Sequence, residues 1–311
     1  MRRRIFITGG TGFFGKSMLD YRLRHPEWEW SDAEWVILSR NPDMFAEKYP
    51  LLALQEGIVL IEGDVRDFVF PQGRFDAIIH AATSAMTTLA GAEMMSVILD
   101  GTKRVIDFAK ASNCKTMLFT SSGAVYGSRT TPACEEDECR PDTVYGTGKL
   151  MAEKMLVQSG LDVKLARCFA FVGPYLNRQI HYAIGNFIQS CLDNHDILIK
   201  GDGTPLRSYL HADDLVEWLF VILSKGHVGR PYNVGSSVGI SIMDLAKLVK
   251  STLATHNISI KVIAKEQHKR NVYVPIVDRA KNELKLSESI SLCDAIVKST
   301  NSRRLFSERM S

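Results

Sequence analysis

Tyr145 and Lys149 stand four residues apart in TVYGTGK, residues 143–149. On a helix that spacing puts both side chains on one face. A phenol has an ordinary pKa of about 10 and is a poor base at neutral pH. An ammonium beside it stabilises the phenolate and lowers that value. A hydroxyl upstream, Ser122 in SSGAVYG, is placed to hydrogen-bond the same reacting oxygen. Together the three could take the proton of a carbinol O–H while hydride leaves its carbon. Tyr and Lys at this spacing are common on ordinary helix surfaces, so the pair gains meaning only from its surroundings.

The first part of those surroundings is TGGTGFFG. Gly9, Gly12 and Gly15 recur every three residues between an apolar run, RRIFITGG, and a helical pattern, FGKSMLDYRLRH. Glycines suit a tight turn whose backbone must approach a pyrophosphate. The helix that opens at Phe13 and Phe14 then offers backbone N–H groups and a partial positive charge. A glycine triplet alone is weak evidence; between a first strand and a first helix it is strong. At the end of the second apolar run an acidic residue would bind the ribose hydroxyls of NAD. Here Ser39, Arg40 and Asn41 stand there instead. A guanidinium and a hydroxyl suit a 2′-phosphate, which predicts NADP; a solvent-facing Arg40 would leave NAD. Asp64 in GDV, at the end of the third run, is placed to reach an adenine amino group.

These residues need a frame that brings strand ends together. EWVILSR, GIVLIEGDV, FDAIIHAAT, KTMLFTSSGAVYG and LDVKLARCFAFVGP read as strands. EMMSVILDGTKRVIDFAKAS and YGTGKLMAEKMLVQSG read as helices between them. The strands lack an alternating polar face, and they alternate with helices. That predicts an α/β fold with a doubly wound parallel sheet covered on both faces. After Pro174 the rhythm changes to short apolar runs, glycine turns such as GDGTP and the helix HADDLVEWLFVILSK. The expected division is a first domain over 1–172 and a smaller one over 173–311, with the chain free to cross back into the first sheet. The tryptophans of WEWSDAEW, residues 28–35, read as packing.

The bulk numbers narrow the rest. The 311 residues are 45% hydrophobic and carry a net charge of +3 with both signs mixed. That gives no basic footprint for nucleic acid. No apolar run reaches the roughly 18 residues of a membrane helix. The basic start MRRRIFITGG is interrupted by glycines too soon for a cleavable leader. The six cysteines form no CxxC pair, and no histidine pair follows Cys134 and Cys139 at metal spacing, so neither metal nor disulfide is expected. The expectation is a cytoplasmic protein with free thiols.

TGGTGFFG, GDV, HAAT, SSGAVYG, YGTGK and RSYLHADDL resemble the extended short-chain dehydrogenase/reductase family, in its branch of nucleotide-sugar epimerases, dehydratases and reductases. The resemblance runs from Arg4 to about Leu286. It implies a Rossmann domain with a small C-terminal sugar-nucleotide domain, and a homodimer. It implies Ser122, Tyr145 and Lys149 as the catalytic set, with Lys149 also on a cofactor ribose. Asp64, Val65, Ala81 and Ala82 fall at cofactor positions, Thr83 and Ser122 at substrate positions, Arg207 at the pyrophosphate of the nucleotide, and Arg270 at a second phosphate contact.

The chain departs from this pattern at four places. Ile98 and Ala170 stand where many relatives carry Asn, at a proton relay and at a substrate contact. Gly123 and Ala124 stand where 4,6-dehydratases carry an Asp–Glu pair that drives loss of water. Without an acid and a base there, that elimination lacks its groups. The reading ranks first an epimerase acting at C4 through a 4-keto sugar. An NADPH-dependent 4-keto-sugar reductase follows, then a 4,6-dehydratase, then a non-catalytic NAD(P)-binding regulator.

Overall fold

A computed structural model describes residues 2–82, 91–178, 183–264 and 271–300. Its strands are β1 (Arg4–Thr8), β2 (Glu34–Ser39), β3 (Ile58–Glu62), β4 (Ala77–His80), β5 (Thr116–Ser122), β6 (Asp162–Cys168), β7 (Phe171–Val172), β8 (Ile197–Ile199), β9 (Leu206–Arg207), β10 (Leu210–His211), β11 (Pro231–Val234), β12 (Ile240–Ser241), β13 (Ile260–Val262) and β14 (Val272–Tyr273). Its helices are α1 (Phe13–Arg24), α2 (Pro42–Lys48), α3 (Pro50–Ala53), α4 (Gly91–Ala111), α5 (Val144–Val157), α6 (Ala183–Leu192), α7 (Ala212–Lys225), α8 (Ile242–Leu253), α9 (Asp278–Leu284) and α10 (Leu292–Thr300).

The main sheet has seven strands in the order β11-β6-β5-β4-β1-β2-β3. Pairings among β1 to β6 are all parallel. At the β11 edge, Gly229 donates to the Val163 carbonyl and Phe169 to that of Val234, so both chains run the same way. The order reverses between β1 and β4, which opens a crevice outside the carboxyl ends of those strands. The apolar runs become strands because they are buried on both faces: Ile5, Phe6, Ile7, Ile78 and Ile79 have almost no exposure. Phe6, Phe68 and Phe108 form an aromatic centre, with Phe6 and Phe108 at 4.6 Å between centroids. This is the doubly wound α/β fold expected from the strand–helix alternation.

The chain divides into two compact units that interleave in sequence. One holds Met1–Gly127, Glu138–Cys168 and Val216–Tyr232; the other holds Ser128–Asp137, Phe169–Leu215 and Asn233–Ser311. The second unit has its own core, built from Val172, Ile184, Phe187, Ile188, Leu245, Val249 and Ile296. Its sheets are small: β10 with β7, β13 with β8, and β9 between β12 and β14.

Most of α7 belongs with the main sheet. Its Phe220 ring meets Trp28 at 4.5 Å, Trp30 at 5.5 Å and Trp35 at 5.6 Å. The tryptophan-rich connection is therefore packing, as its composition implied. Hydrophobic and ring contacts draw α7 onto that side chain cluster. Phe220→Ala should cost about 3–5 kcal/mol, the usual range for deleting a buried ring. Chemical denaturation of parent and variant measures it; a loss below about 1 kcal/mol would mean that other contacts hold α7.

Candidate functional site

The glycine loop closes over the end of β1. Gly9 has φ of +74°, and a Cβ there would stand 2.5 Å from the Ala81 carbonyl oxygen. A Cβ on Gly15 would stand 2.1 Å from that of Gly10. Gly12 donates its N–H to Gly9 and caps α1 with extended backbone and no side chain. Backbone packs on Gly9, Gly12 and Gly15, and the helix start lies behind this turn, which fits a pyrophosphate group. Phe13 and Phe14 open α1 as half-buried rings 5.9 Å apart.

The neighbouring strand ends supply the rest of the cradle. Ser39 is buried at the end of β2, where its Oγ accepts from Asn41 N–H; Arg40 is exposed beside it. Both Asp64 oxygens are engaged by the Arg66 fork, at 2.7 and 3.2 Å, and Arg66 holds that carboxyl below its ordinary pKa. The Val65 side chain is buried in the core. Ala81 packs on Gly9, and the Ala82 N–H donates to Thr8 Oγ1.

That last bond begins a buried chain that nothing in the sequence pattern announced. Thr8 Oγ1 meets His80 Nδ1 at 2.8 Å, and His80 Nε2 meets Thr102 Oγ1 at 3.1 Å. Thr102 Oγ1 donates to the Ile98 carbonyl, so it accepts from His80. Burial keeps the imidazole neutral, so its one proton is the Nε2 proton given to Thr102, and Nδ1 accepts from Thr8 Oγ1. Burial, then the charge of Lys149, pushes the His80 pKa down to about 3.

Ser122, Tyr145 and Lys149 come together through β5 and α5. Ser122 is the last residue of β5, and its Oγ accepts from Ala124 N–H, capping the short 3₁₀ turn Gly123–Tyr126. Thr143 caps α5 through Gly146 N–H, which starts the helix at Val144, one residue before Tyr145. Lys149 is 2% exposed and donates to the Thr120 carbonyl at 2.7 Å. Its Nζ lies 4.6 Å from the Phe119 ring centre and 5.9 Å from that of Tyr145. Burial lowers the Lys149 pKa to about 7, while Cys168 and Glu153 pull it back up. The two glycines of YGTGK explain the close seat of α5. A Cβ on Gly146 would lie 2.4 Å from the Ala124 carbonyl oxygen, and one on Gly148 would lie 2.9 Å from Ile98 Cδ1.

One turn beyond Lys149, Glu153 forms a buried two-point ion pair with Arg167 of β6, at 3.0 and 2.8 Å. Ser121 Oγ donates to the same carboxylate, and Arg167 Nη1 donates to Tyr126 OH at 3.0 Å. Sequence reading missed this set; the i+4 step from Lys149 to a glutamate was its only local trace.

In the second unit, Arg207 is half-buried and donates to the carbonyls of Leu206 and Asn271. Burial lowers its pKa, against the pull of Tyr209 and Tyr273. Thr83 and Arg270 lie outside the described residues. Among the described residues no helix is long and apolar enough to cross a membrane.

The model of the NAD dependent epimerase/dehydratase family matches residues 5–235. The chain belongs to this family. It is thus an enzyme of the extended short-chain dehydrogenase/reductase branch whose members are nucleotide-sugar epimerases, dehydratases and decarboxylases. It is similar to dTDP-glucose 4,6-dehydratase of Streptomyces griseus, 26% identical over 310 residues that cover 95% of this chain and 92% of the relative. It is equally similar to UDP-glucuronic acid decarboxylase 1 of Arabidopsis thaliana, 26% over 310 residues, 95% of this chain and 68% of the relative. Its fold matches that of UDP-glucuronic acid 4-epimerase from Bacillus cereus, solved in complex with UDP-glucuronic acid and NAD. The TM-score is 0.83 at 18% identity, over 97% of this chain and 99% of that one.

His80 generates a prediction about acid stability. The unfolded chain protonates this histidine at about pH 6.5, whereas the folded chain resists until about pH 3. Between those values the unfolded state binds the extra proton, so stability falls as pH falls. From pH 8 to pH 5 the parent should lose about 2 kcal/mol more than His80→Gln. Denaturant titrations at the two pH values give the comparison, and parallel losses would show that His80 accepts a proton in the folded state.

Proposed function

We propose that this enzyme is an NAD(P)-dependent nucleotide-sugar epimerase acting at C4 through a transient 4-keto sugar. The observation that carries this reading is the composition of the β5–α5 site. It holds one proton-handling set, Ser122, Tyr145 and Lys149, and the two residues after Ser122 are Gly123 and Ala124. Elimination of water would require an acid and a base; epimerisation requires one proton site used twice.

The glycine loop would hold the pyrophosphate of NAD(P), Ser39 and Arg40 its adenosine ribose, and Lys149 its other ribose. When bound, the nicotinamide supplies a hydride acceptor that later returns the hydride. Tyr145 takes the proton of the 4-hydroxyl, with Lys149 stabilising its phenolate, and gives the proton back after the sugar turns over. Ser122 holds the reacting oxygen. Arg207 is assigned to the pyrophosphate of the sugar nucleotide, whose charge suits a guanidinium that donates to two backbone carbonyls. Relatives named for dTDP- and UDP-sugars support the nucleotide-sugar class, and the NAD-bound neighbour supports NAD. A homodimer is the assembly proposed with them.

A second reading is reduction of a 4-keto sugar with NADPH, and the exposed Arg40 at the end of β2 favours it. A charge-assisted hydrogen bond to a 2′-phosphate is worth roughly 1.5–3 kcal/mol. Arg40→Ala should then weaken NADP by about 10- to 150-fold and leave NAD nearly unchanged. Titration of both cofactors measures this, and equal losses would remove Arg40 from the 2′ position.

Epimerisation itself is tested with UDP- and dTDP-sugars and sub-stoichiometric NAD(P), followed by NMR. The expected product is the C4 epimer with no net change in NAD(P)H absorbance. Stoichiometric loss of NADPH with a 4-keto sugar would put reduction first, and release of CO₂ from UDP-glucuronic acid would put decarboxylation first. In either case Tyr145→Phe should lower turnover by ~10²-fold or more with cofactor affinity unchanged. Retention of a tenth of the parent rate or more would remove Tyr145 from its role.

A further inference from the structure

The Glu153–Arg167 pair touches every element that carries the proposed proton-handling set. Glu153 lies on α5, four residues after Lys149 and eight after Tyr145. Arg167 lies on β6 in register with Ser121 of β5, the residue before Ser122. Glu153 Oε1 accepts from Ser121 Oγ and from Arg167 Nε; Oε2 accepts from Arg167 Nη2. Arg167 Nη1 reaches Tyr126, the last residue of the turn that follows Ser122. One carboxylate and one guanidinium therefore join α5, β5, β6 and the turn after β5.

Stability alone gives this arrangement little reason to exist. A buried ion pair is often matched or bettered by apolar side chains of similar volume, because desolvating two charges offsets their attraction. What an apolar pair cannot supply is direction. A two-point fork fixes both distance and angle, and the additional bonds to Ser121 and Tyr126 tie that angle to the residues on either side of Ser122.

We propose that Glu153 and Arg167 are positioning residues: their ion pair fixes how α5 sits on the end of β5, and so where Tyr145 and Lys149 stand beside Ser122. The proposal rests on the roles given to those three residues above. Neither Glu153 nor Arg167 handles the proton. The pair also sets the local field. Among the described residues, Glu153 on α5, Cys168 on β6, His80 on β4 and Tyr145 are titratable groups near Lys149. Of these, Glu153 and Cys168 favour its ammonium.

The test is the double variant Glu153→Met/Arg167→Met, which removes both charges and keeps the volume. The first readout needs no substrate. Tyrosinate absorbance against pH is recorded for parent and double variant, each with and without Tyr145→Phe, so that the difference isolates Tyr145. With Lys149 less readily charged and α5 less well seated, the Tyr145 midpoint should rise by roughly one pH unit. On the substrate identified for the parent, kcat should fall by roughly ten- to a hundredfold with KM nearly constant.

A folded double variant with an unchanged Tyr145 midpoint overturns the proposal, whatever reaction the parent performs. A parent that turns over no nucleotide sugar would refute the epimerase reading and leave the titration to decide this one. Should the methionine pair not fold, Glu153→Gln/Arg167→Gln, which keeps polar contacts without charge, takes its place with the same expected shift. Failure of both pairs to fold would assign the ion pair to folding and overturn the proposal.

Discussion

Burial of the Lys149 amine is the constraint on which the site is arranged. A lysine with 2% exposure has given up nearly all of its water; it donates to the Thr120 carbonyl and stands near two aromatic faces, and Glu153 and Cys168 favour its charge. Its pKa falls to about 7 as a result. An amine this poorly solvated changes charge near neutrality, which is where a phenol needs a cation beside it to work as a base. For Nζ to reach the backbone of β5, α5 must lie hard against the sheet and against α4. Gly146 and Gly148 make that approach possible, each at a point where a Cβ would strike a neighbour. Ile98 fills the space opposite Gly148: the position is core, 2% exposed, and its carbonyl accepts from Thr102 Oγ1.

Local chemistry in the sequence points to the glycine loop, the strand–helix rhythm and the Tyr145–Lys149 step because each depends on neighbours close in sequence. Gly9 and Gly15 announce themselves by spacing, and the Tyr145–Lys149 step by helix geometry. The buried networks did not announce themselves, because their partners lie far apart in sequence. Thr8 and His80 are 72 residues apart, and Ser121 and Glu153 are 32. Pairing of that kind is set by strand order, which periodicity alone does not give. The same limit applies to α7. The helix itself was legible in the sequence, but the partner it covers, the tryptophan cluster around Trp28 and Trp35, lies almost two hundred positions earlier along the chain.

The relatives catalyse different net reactions on one frame. Removing hydride and proton at C4 of a nucleotide sugar creates a ketone, and the ketone opens several exits. A leaving hydroxyl with an acid and a base nearby leads to loss of water. A carboxylate on the adjoining carbon leads to loss of CO₂. With neither, hydride returns. The proposed epimerase reading follows from what stands after Ser122, a glycine and an alanine folded into a 3₁₀ turn, and not from overall likeness, since the similar curated sequences include dehydratases and decarboxylases.

The distribution of buried polar side chains ties these points together. Along β1, β4 and β5 the buried positions are apolar until the last residues: Ile5, Phe6 and Ile7 before Thr8; Ile78 and Ile79 before His80; Met117, Leu118 and Phe119 before Thr120, Ser121 and Ser122. Ser39 ends β2 in the same way, and Arg167 stands next to last in β6. Hydrogen bonds join most of these groups, as buried polar atoms require. A sheet selected only for stability has no reason to collect such groups at one edge, since each must be desolvated and then exactly satisfied in number. They gather at the carboxyl ends because that edge faces the crevice where the strand order reverses, between β1 and β4. There the polar residues do two things at once. Thr8, His80 and Thr102 join the ends of β1 and β4 to α4, and Thr120, Ser121, Glu153 and Arg167 join β5 and β6 to α5, the helix that carries Tyr145.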